Sequence, residues 1–251
     1  MIGRLASLVL ALLIAATVSP LPALAQEKSA VKPGFAIPPD SAARIIVFRP
    51  SIVVGEQSTG GLFEPNADWT EQARLLIGAA LRSAQTSIGN HLTDYGDPIG
   101  EDAVRVAAYQ ALFTTVAEAV IEFQFFPGNR LPTKKRDKGF DWTLGPEIRQ
   151  LARAAEADYA LFINTEDQFG SGGRKAAQVV GALVGIGIRS GVHKGYAGLV
   201  DLRTGDLVWL NADVQMGGDV RTPDGAAKRV AQLLEDFPSQ PAPIAAAAKA
   251  P

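Results

Sequence analysis

The chain of 251 residues contains no cysteine, only two histidines and only two methionines. Without cysteine there is no disulfide, no thiolate nucleophile and no thiolate metal site, so stability has to come from packing. With His91 and His193 as the only imidazoles, a metal site would need carboxylates gathered around one of them. His91-x-x-Asp94, with Asp97 close by, is the nearest approach to such a pattern, and a surface loop accounts for it equally well. No metal or cofactor is expected. A basic face is lacking too: 24 Lys and Arg against 26 Asp and Glu give a formal net charge of −2, which argues against a nucleic-acid partner. No serine stands in a G-x-S-x-G elbow, and no G-x-x-x-x-G-K-[ST] phosphate loop is present. No catalytic residue is nominated.

What the chain does have begins at its amino terminus. Arg4 is followed by an apolar run from Ala6 to about Val18, a break at Ser19-Pro20, and Ala23-Leu24-Ala25 before Gln26. A basic start, a short apolar stretch and an A-x-A site form the layout of a secretory signal peptide cleaved after Ala25. The apolar stretch is shorter than the roughly 20 residues that span a bilayer. The expected location is therefore the periplasm. Gln26 stands where a lipoprotein would need cysteine, so no lipid anchor is expected at the new amino terminus.

Residues 26–42 contain Lys32-Pro33-Gly34 and Pro38-Pro39 and read as an extended leader; residues 238–251 are Pro- and Ala-rich and read as a flexible tail. The folded body is expected over 43–237 as one α/β domain. Arg44–Phe48 reads as a strand ended by Pro50, and Ser51–Pro65 as a glycine-rich loop with at most a short strand at Ile52–Val54. Asp68 and Glu71 open a helix striped by Trp69, Ala73, Leu76, Ile77, Ala80, Leu81, Ala84 and Ile88. A second helix over Glu101–Glu122 is expected to bury Val104, Ala108, Leu112, Val116, Ala119 and Phe123, with Phe123–Phe126 extending it or forming a strand. Gly145-Pro146 opens a third, with Ile148, Leu151, Ala152 and Ala155 inward.

Asp158–Ile163 has the unbroken apolar character of a central strand. Tyr196–Leu202 and Leu207–Val214 form a hairpin across Arg203-Thr204-Gly205-Asp206, with Val208, Leu210, Ala212 and Val214 on one face. Thr222-Pro223 starts a last helix striped by Ala226, Val230, Leu233, Leu234 and Phe237. Helices mixed with strands and a closing hairpin predict an α/β sandwich with a mixed sheet.

Three pieces carry a resemblance: the helix running into Ala157-Asp158-Tyr159-Ala160-Leu161-Phe162, the segment Gly198-Leu199-Val200-Asp201-Leu202-Arg203-Thr204-Gly205-Asp206-Leu207-Val208-Trp209, and the amphipathic helix at the end. Together, over about residues 44–237, they resemble bacterial envelope proteins with the fold of the TolB amino-terminal domain, the CsgG/LpoB-like group. The resemblance implies a non-catalytic envelope domain used for protein contacts or assembly. It brings no catalytic residues; it implies a turn role for Gly205 and a place on the sheet for Trp209.

Contact and ligand candidates follow from the residues. Gly170-Ser171-Gly172-Gly173-Arg174-Lys175 ahead of a helix offers amides and charge to an anion, or is a plain connection. Gly181-x-x-x-Gly185 within Ala176–Ile188 allows close helix approach, as a packed or subunit-contact helix, with peripheral membrane contact as the other reading. Glu166 and Asp167 are expected at the end of the central strand, where α/β ligand sites lie. Lys134-Lys135-Arg136 with Lys138 is a basic patch read as a solvated loop, with anionic lipid or cell-wall polymer as its alternative target. The leading expectation is an exported, non-enzymatic protein acting through an envelope partner or self-assembly, with 51–65 and 170–191 as contact surfaces. The alternatives are a periplasmic small-ligand binder using Glu166 and the Gly170 loop, or an enzyme of unrecognised type.

Overall fold

The computed structural model describes residues 29–37, 43–88, 91–126, 128–129, 132, 139–151, 153–188 and 191–238. The signal segment, most of the tail, Ala152 and the Lys134–Arg136 patch with Lys138 lie outside them. Nine strands form one open mixed sheet among the described residues. They are β1 (Ser29–Val31), β2 (Arg44–Val47), β3 (Ser51–Gln57), β4 (Phe63–Pro65), β5 (His91–Asp94), β6 (Trp142–Thr143), β7 (Tyr159–Gly170), β8 (Gly191–Asp201) and β9 (Asp206–Asp213). Four α-helices are α1 (Ala67–Ile88), α2 (Gly100–Val120), α3 (Gly172–Leu183) and α4 (Pro223–Leu233).

The sheet runs β1-β9-β8-β7-β2-β5, with β3 alongside β7, β4 on β3 and β6 on β9. The β2–β5, β2–β7 and β3–β7 pairs are parallel; β7–β8, β8–β9 and β1–β9 are antiparallel. The expected α/β architecture with a mixed sheet is thus observed. β7 is its spine, twelve residues long and paired on both sides. β2 and β3 line the same edge of β7, one below and one above the break at Pro50, whose ring removes an amide that a continuous strand would use.

Alternation along the strands divides the core between two faces. Ile45, Val47, Leu161 and Ile163 pack under α1 and α4, against Ile77, Leu81, Val230 and Leu233. Ile46, Phe48 and Phe162 face the other way, toward Val106, Phe113, Ala117 and Val120 of α2. On that side Tyr95, Phe48, Phe162 and Phe113 stack in succession, with ring centroids 4.8, 4.6 and 4.8 Å apart.

Several expectations are corrected. The stretch 51–65 is a β3–β4 hairpin, because Val53–Gln57 completes the parallel ladder on β7. Helix α1 is capped by Asn66, whose side chain accepts from the Trp69 amide at 2.9 Å; Asp68 lies inside the helix. Part of the leader is a strand: β1 pairs with β9, and Ile37 is buried. The expected third helix is two short 3-10 turns, Pro146–Gln150 and Ala154–Glu156, that still bury Ile148 and Leu151. His91 and Asp94 bound a strand rather than a loop. On β9, Val208 faces the Trp209 side of the sheet while Leu210 and Ala212 face the other, because Val208 is the extra residue of a bulge opposite Leu199–Val200.

The largest correction concerns α2, which continues through a π-helical turn at Ile121–Phe125. It buries Val106, Phe113, Ala117 and Val120, not the expected Val104, Leu112 and Phe123, which remain 70, 39 and 39% exposed. The helix carries apolar residues all round, and Phe113 decides which side faces in by stacking on Phe162 above Gly198. A Cβ at position 198 would meet the Phe113 ring at 2.5 Å.

Candidate functional site

The most concentrated polar chemistry lies where the far half of β7 meets α4. Adjacent strand residues point to opposite faces, so Glu166 and Asp167 are separated by the sheet and cannot act as paired carboxylates. They also sit within the strand rather than at its end.

Asp167 lies under α4 and is fully buried. Its Oδ1 accepts from Arg229 Nη2 at 2.7 Å and its Oδ2 from Arg229 Nη1 at 2.8 Å. Arg229 Nη1 also donates to Thr165 Oγ1 at 2.6 Å, and Nη2 lies 3.4 Å from the Gly218 carbonyl. His193 on β8 places Nδ1 2.7 Å from Asp167 Oδ1 and packs its ring edge-on to Phe169. Arg229 is fully buried as well, so the fork-to-carboxylate geometry matches two charges removed from water together. Sequence reading missed Arg229. The signal was present, for position 229 falls three residues after Ala226 and four before Leu233, inside the apolar stripe of α4.

Arg221, one residue before the Thr222 cap of α4, extends the cluster. Its guanidinium lies 3.7 Å from the Phe169 ring centre and 4.4 Å from that of Trp69. Asp219 holds the same guanidinium at 2.9 and 2.7 Å, and this hydrogen bonding lowers the Asp219 pKa below the ordinary carboxylate value. Every member therefore has a protein partner, and the cluster fastens the loop before α4 to β7 and α1. The His193 side chain is bonded to Asp167, and among the described residues no hydroxyl is hydrogen-bonded to its other nitrogen. This is the geometry of a clamp.

On the opposite face Glu166 pairs with Lys194 at 3.0 Å and accepts from Gln168 at 2.5 Å. It lines a cleft of about 200 Å³ with Asn164, Thr114 and Tyr196. Asn164 donates to Thr114 and to the Tyr196 hydroxyl, both at 2.8 Å, and burial pushes the Tyr196 pKa up to about 12. The cleft is smaller than the roughly 300 Å³ at which ligand pockets begin. A larger open groove of about 800 Å³ separates α1 from α4, lined by Leu76, Ala80, Ala84, Val230, Leu234 and Phe237.

The glycine-rich stretch is divided by the fold. Gly170 ends β7, Ser171 caps α3 by accepting from the Arg174 amide at 3.1 Å, and Gly172 and Gly173 form its first turn. A Cβ at Gly173 would meet Thr59 Oγ1 at 2.4 Å, so this turn is packed on the β3–β4 hairpin. Gly181 and Gly185 do not share a helix face. Gly185 stops the helix with φ 78°, and Gly181 faces the carbonyl of Ile186 and the side chain of Ile188. Among the described residues no group of three or more His, Asp and Glu is placed to hold a metal ion.

No protein-family model matches the chain, and no curated protein matches it in sequence. Solved structures are similar at a distance. The PelC dodecamer from Paraburkholderia phytofirmans is 12% identical, with 85% of this chain and 98% of that chain covered and a TM-score of 0.38. Lipoprotein GNA1162 from Neisseria meningitidis is 16% identical, with 68% and 80% covered and a TM-score of 0.28. The LpoB carboxyl-terminal domain from Salmonella enterica is 14% identical, with 72% and 85% covered and a TM-score of 0.26. At these scores the likenesses assign this chain neither an activity nor a partner.

Proposed function

We propose that the chain is an exported protein of the bacterial cell envelope that works by contact with other proteins rather than by catalysis. The observation that carries the reading is the second apolar face of α2. The stretch Gly100–Phe125 is long and apolar enough, by length and composition, to cross a membrane, yet it lies against the sheet with one face buried. Val104, Ala108, Leu112 and Phe123 stand on the other. Large apolar side chains gathered on the outside of a folded domain mark a contact surface. The signal-peptide layout of residues 1–25 supports export, and the mutual saturation of the Asp167, Arg229, Glu166 and Lys194 groups supports a structural use of the polar clusters.

The test is fractionation and cross-linking in cells expressing the full chain with a carboxyl-terminal tag. The reading predicts a shortened chain in the periplasmic or envelope fraction and a discrete cross-linked species that the pair Val104→Asp and Leu112→Asp removes. An unshortened chain in the cytosol, or a free chain with no cross-linked species, contradicts it.

A further inference from the structure

Helix α3 is built inside out. The residues at one helical face, Arg174, Ala177, Gln178 and Gly181, are the ones turned toward the rest of the protein, at intermediate exposure or buried. The residues at the opposite face with the same i, i+3, i+4, i+7 spacing, Ala176, Val179, Val180 and Leu183, are turned to solvent. Val180 is 62% exposed and Leu183 82% exposed, and Val184 and Ile186 continue the apolar surface past the helix end at 67 and 59%. A surface helix of a globular protein places its faces the other way round. The helix costs the fold little to display: it touches the sheet mainly at the end of β7, and Ser171 caps it.

Charge identifies what covers this face. Between Gln168 and Val200 the sequence contains no aspartate and no glutamate, in a chain whose formal charge is −2. Exposed Lys175 stands in the first turn of α3 at the border of the apolar face, which is itself uncharged from Ala176 to Ile188, while Arg174 lies on the inward face near Gly61. A helix with a strong apolar face, a basic residue at its border and no carboxylate of its own lies in the plane of an anionic membrane surface. A protein partner would more often be matched by charges of both signs around the rim.

We infer that α3, together with the turn at Val184–Ile186, is a membrane-surface element that seats Val179, Val180, Leu183, Val184 and Ile186 in the headgroup region of a bilayer containing anionic phospholipid. This goes beyond the protein contacts assigned to α2 and does not depend on them. The contact is peripheral and reversible, since one short helix lacks the apolar length to span a bilayer.

The experiment is flotation of the full chain, without its first 25 residues, with vesicles of phosphatidylethanolamine and phosphatidylglycerol and, separately, of phosphatidylcholine alone. The protein is expected to float with the phosphatidylglycerol vesicles and to be released at roughly 1 M salt, where the Debye length falls to about 3 Å. The pair Val180→Glu and Leu183→Glu is expected to weaken flotation at least about tenfold, without changing the melting temperature, because both side chains are already in water. Lys175→Glu keeps the apolar face and is expected to weaken binding to phosphatidylglycerol vesicles alone. No flotation with either vesicle, or flotation that Val180→Glu with Leu183→Glu leaves unchanged, overturns the inference. Loss of a self-associated species in that variant, with no vesicle binding by the parent, overturns it in favour of a protein contact.

Discussion

Asp167 on β7 and Arg229 on α4 face each other through two hydrogen bonds, 2.7 and 2.8 Å long, with neither side chain reaching solvent. The pair joins the helix layer to the sheet by charge, and its members lie 62 residues apart in the chain. Removing either partner leaves the other charge buried. Asp167→Leu or Arg229→Met is therefore expected to cost about 3–5 kcal/mol, and the double change of both less than the sum of the two single changes. Urea unfolding of the three variants measures this; additive losses would mean that the two groups do not act as a pair.

Gly198 and Phe113 are a second coupled pair. A methyl at position 198 enters the Phe113 ring, so Gly198→Ala is expected to destabilise by about 1–3 kcal/mol. Adding Phe113→Leu should recover part of that loss, which thermal melting of the single and double variants reads directly. No recovery would show that Phe113 is not what Gly198 makes room for.

Gly205 tests the hairpin turn. Its φ is 78°, and a Cβ there would lie 2.0 Å from the Gly145 carbonyl oxygen. Gly205→Ala combines an unfavourable backbone conformation with a backbone clash and is expected to cost at least about 2 kcal/mol in chemical unfolding. A neutral result would place the turn elsewhere.

Acid should weaken the fold through carboxylates whose native pKa values are lowered. Hydrogen bonds from Arg44 depress Asp158, those from Lys32 depress Asp206, and those from Arg221 depress Asp219. A depressed native pKa contributes stability that is present above the unfolded value, about 3.9 for aspartate, and is lost as the pH falls through the native value. Melting temperature is thus expected to decline as the pH falls below about 4, and Asp219→Asn should flatten part of the decline. An unchanged slope in that variant would mean that Asp219 is not among the groups responsible.

Periodic signals made much of this fold legible in the sequence. The apolar run at Tyr159–Ile163, the hairpin around Gly205, the Thr222 cap and the stripes of α1 and α4 are all local patterns, and each stands where the sequence places it. What escaped depends on contacts far apart in the chain. β1 exists because β9 offers it an edge, and β3 runs to Gln57 because β7 is long enough to pair with it. The buried face of α2 was not readable from spacing, since Leu112 and Phe113 satisfy equally good stripes and only the ring of Phe162 tells them apart. Among the site candidates, Glu166 and Asp167 were found by position but joined wrongly, because strand alternation sends them to opposite faces. Arg229 was hidden by its charge.

A photo-activated cross-linker built in at position 112 probes the outward face of α2 in the cell. If this face is the contact surface, a discrete cross-linked product forms in cells when the probe replaces Leu112, is lost on adding Val104→Asp, and does not form when the probe replaces Arg82 on the exposed side of α1. Equal, diffuse labelling from both positions, or no product from position 112, would contradict it.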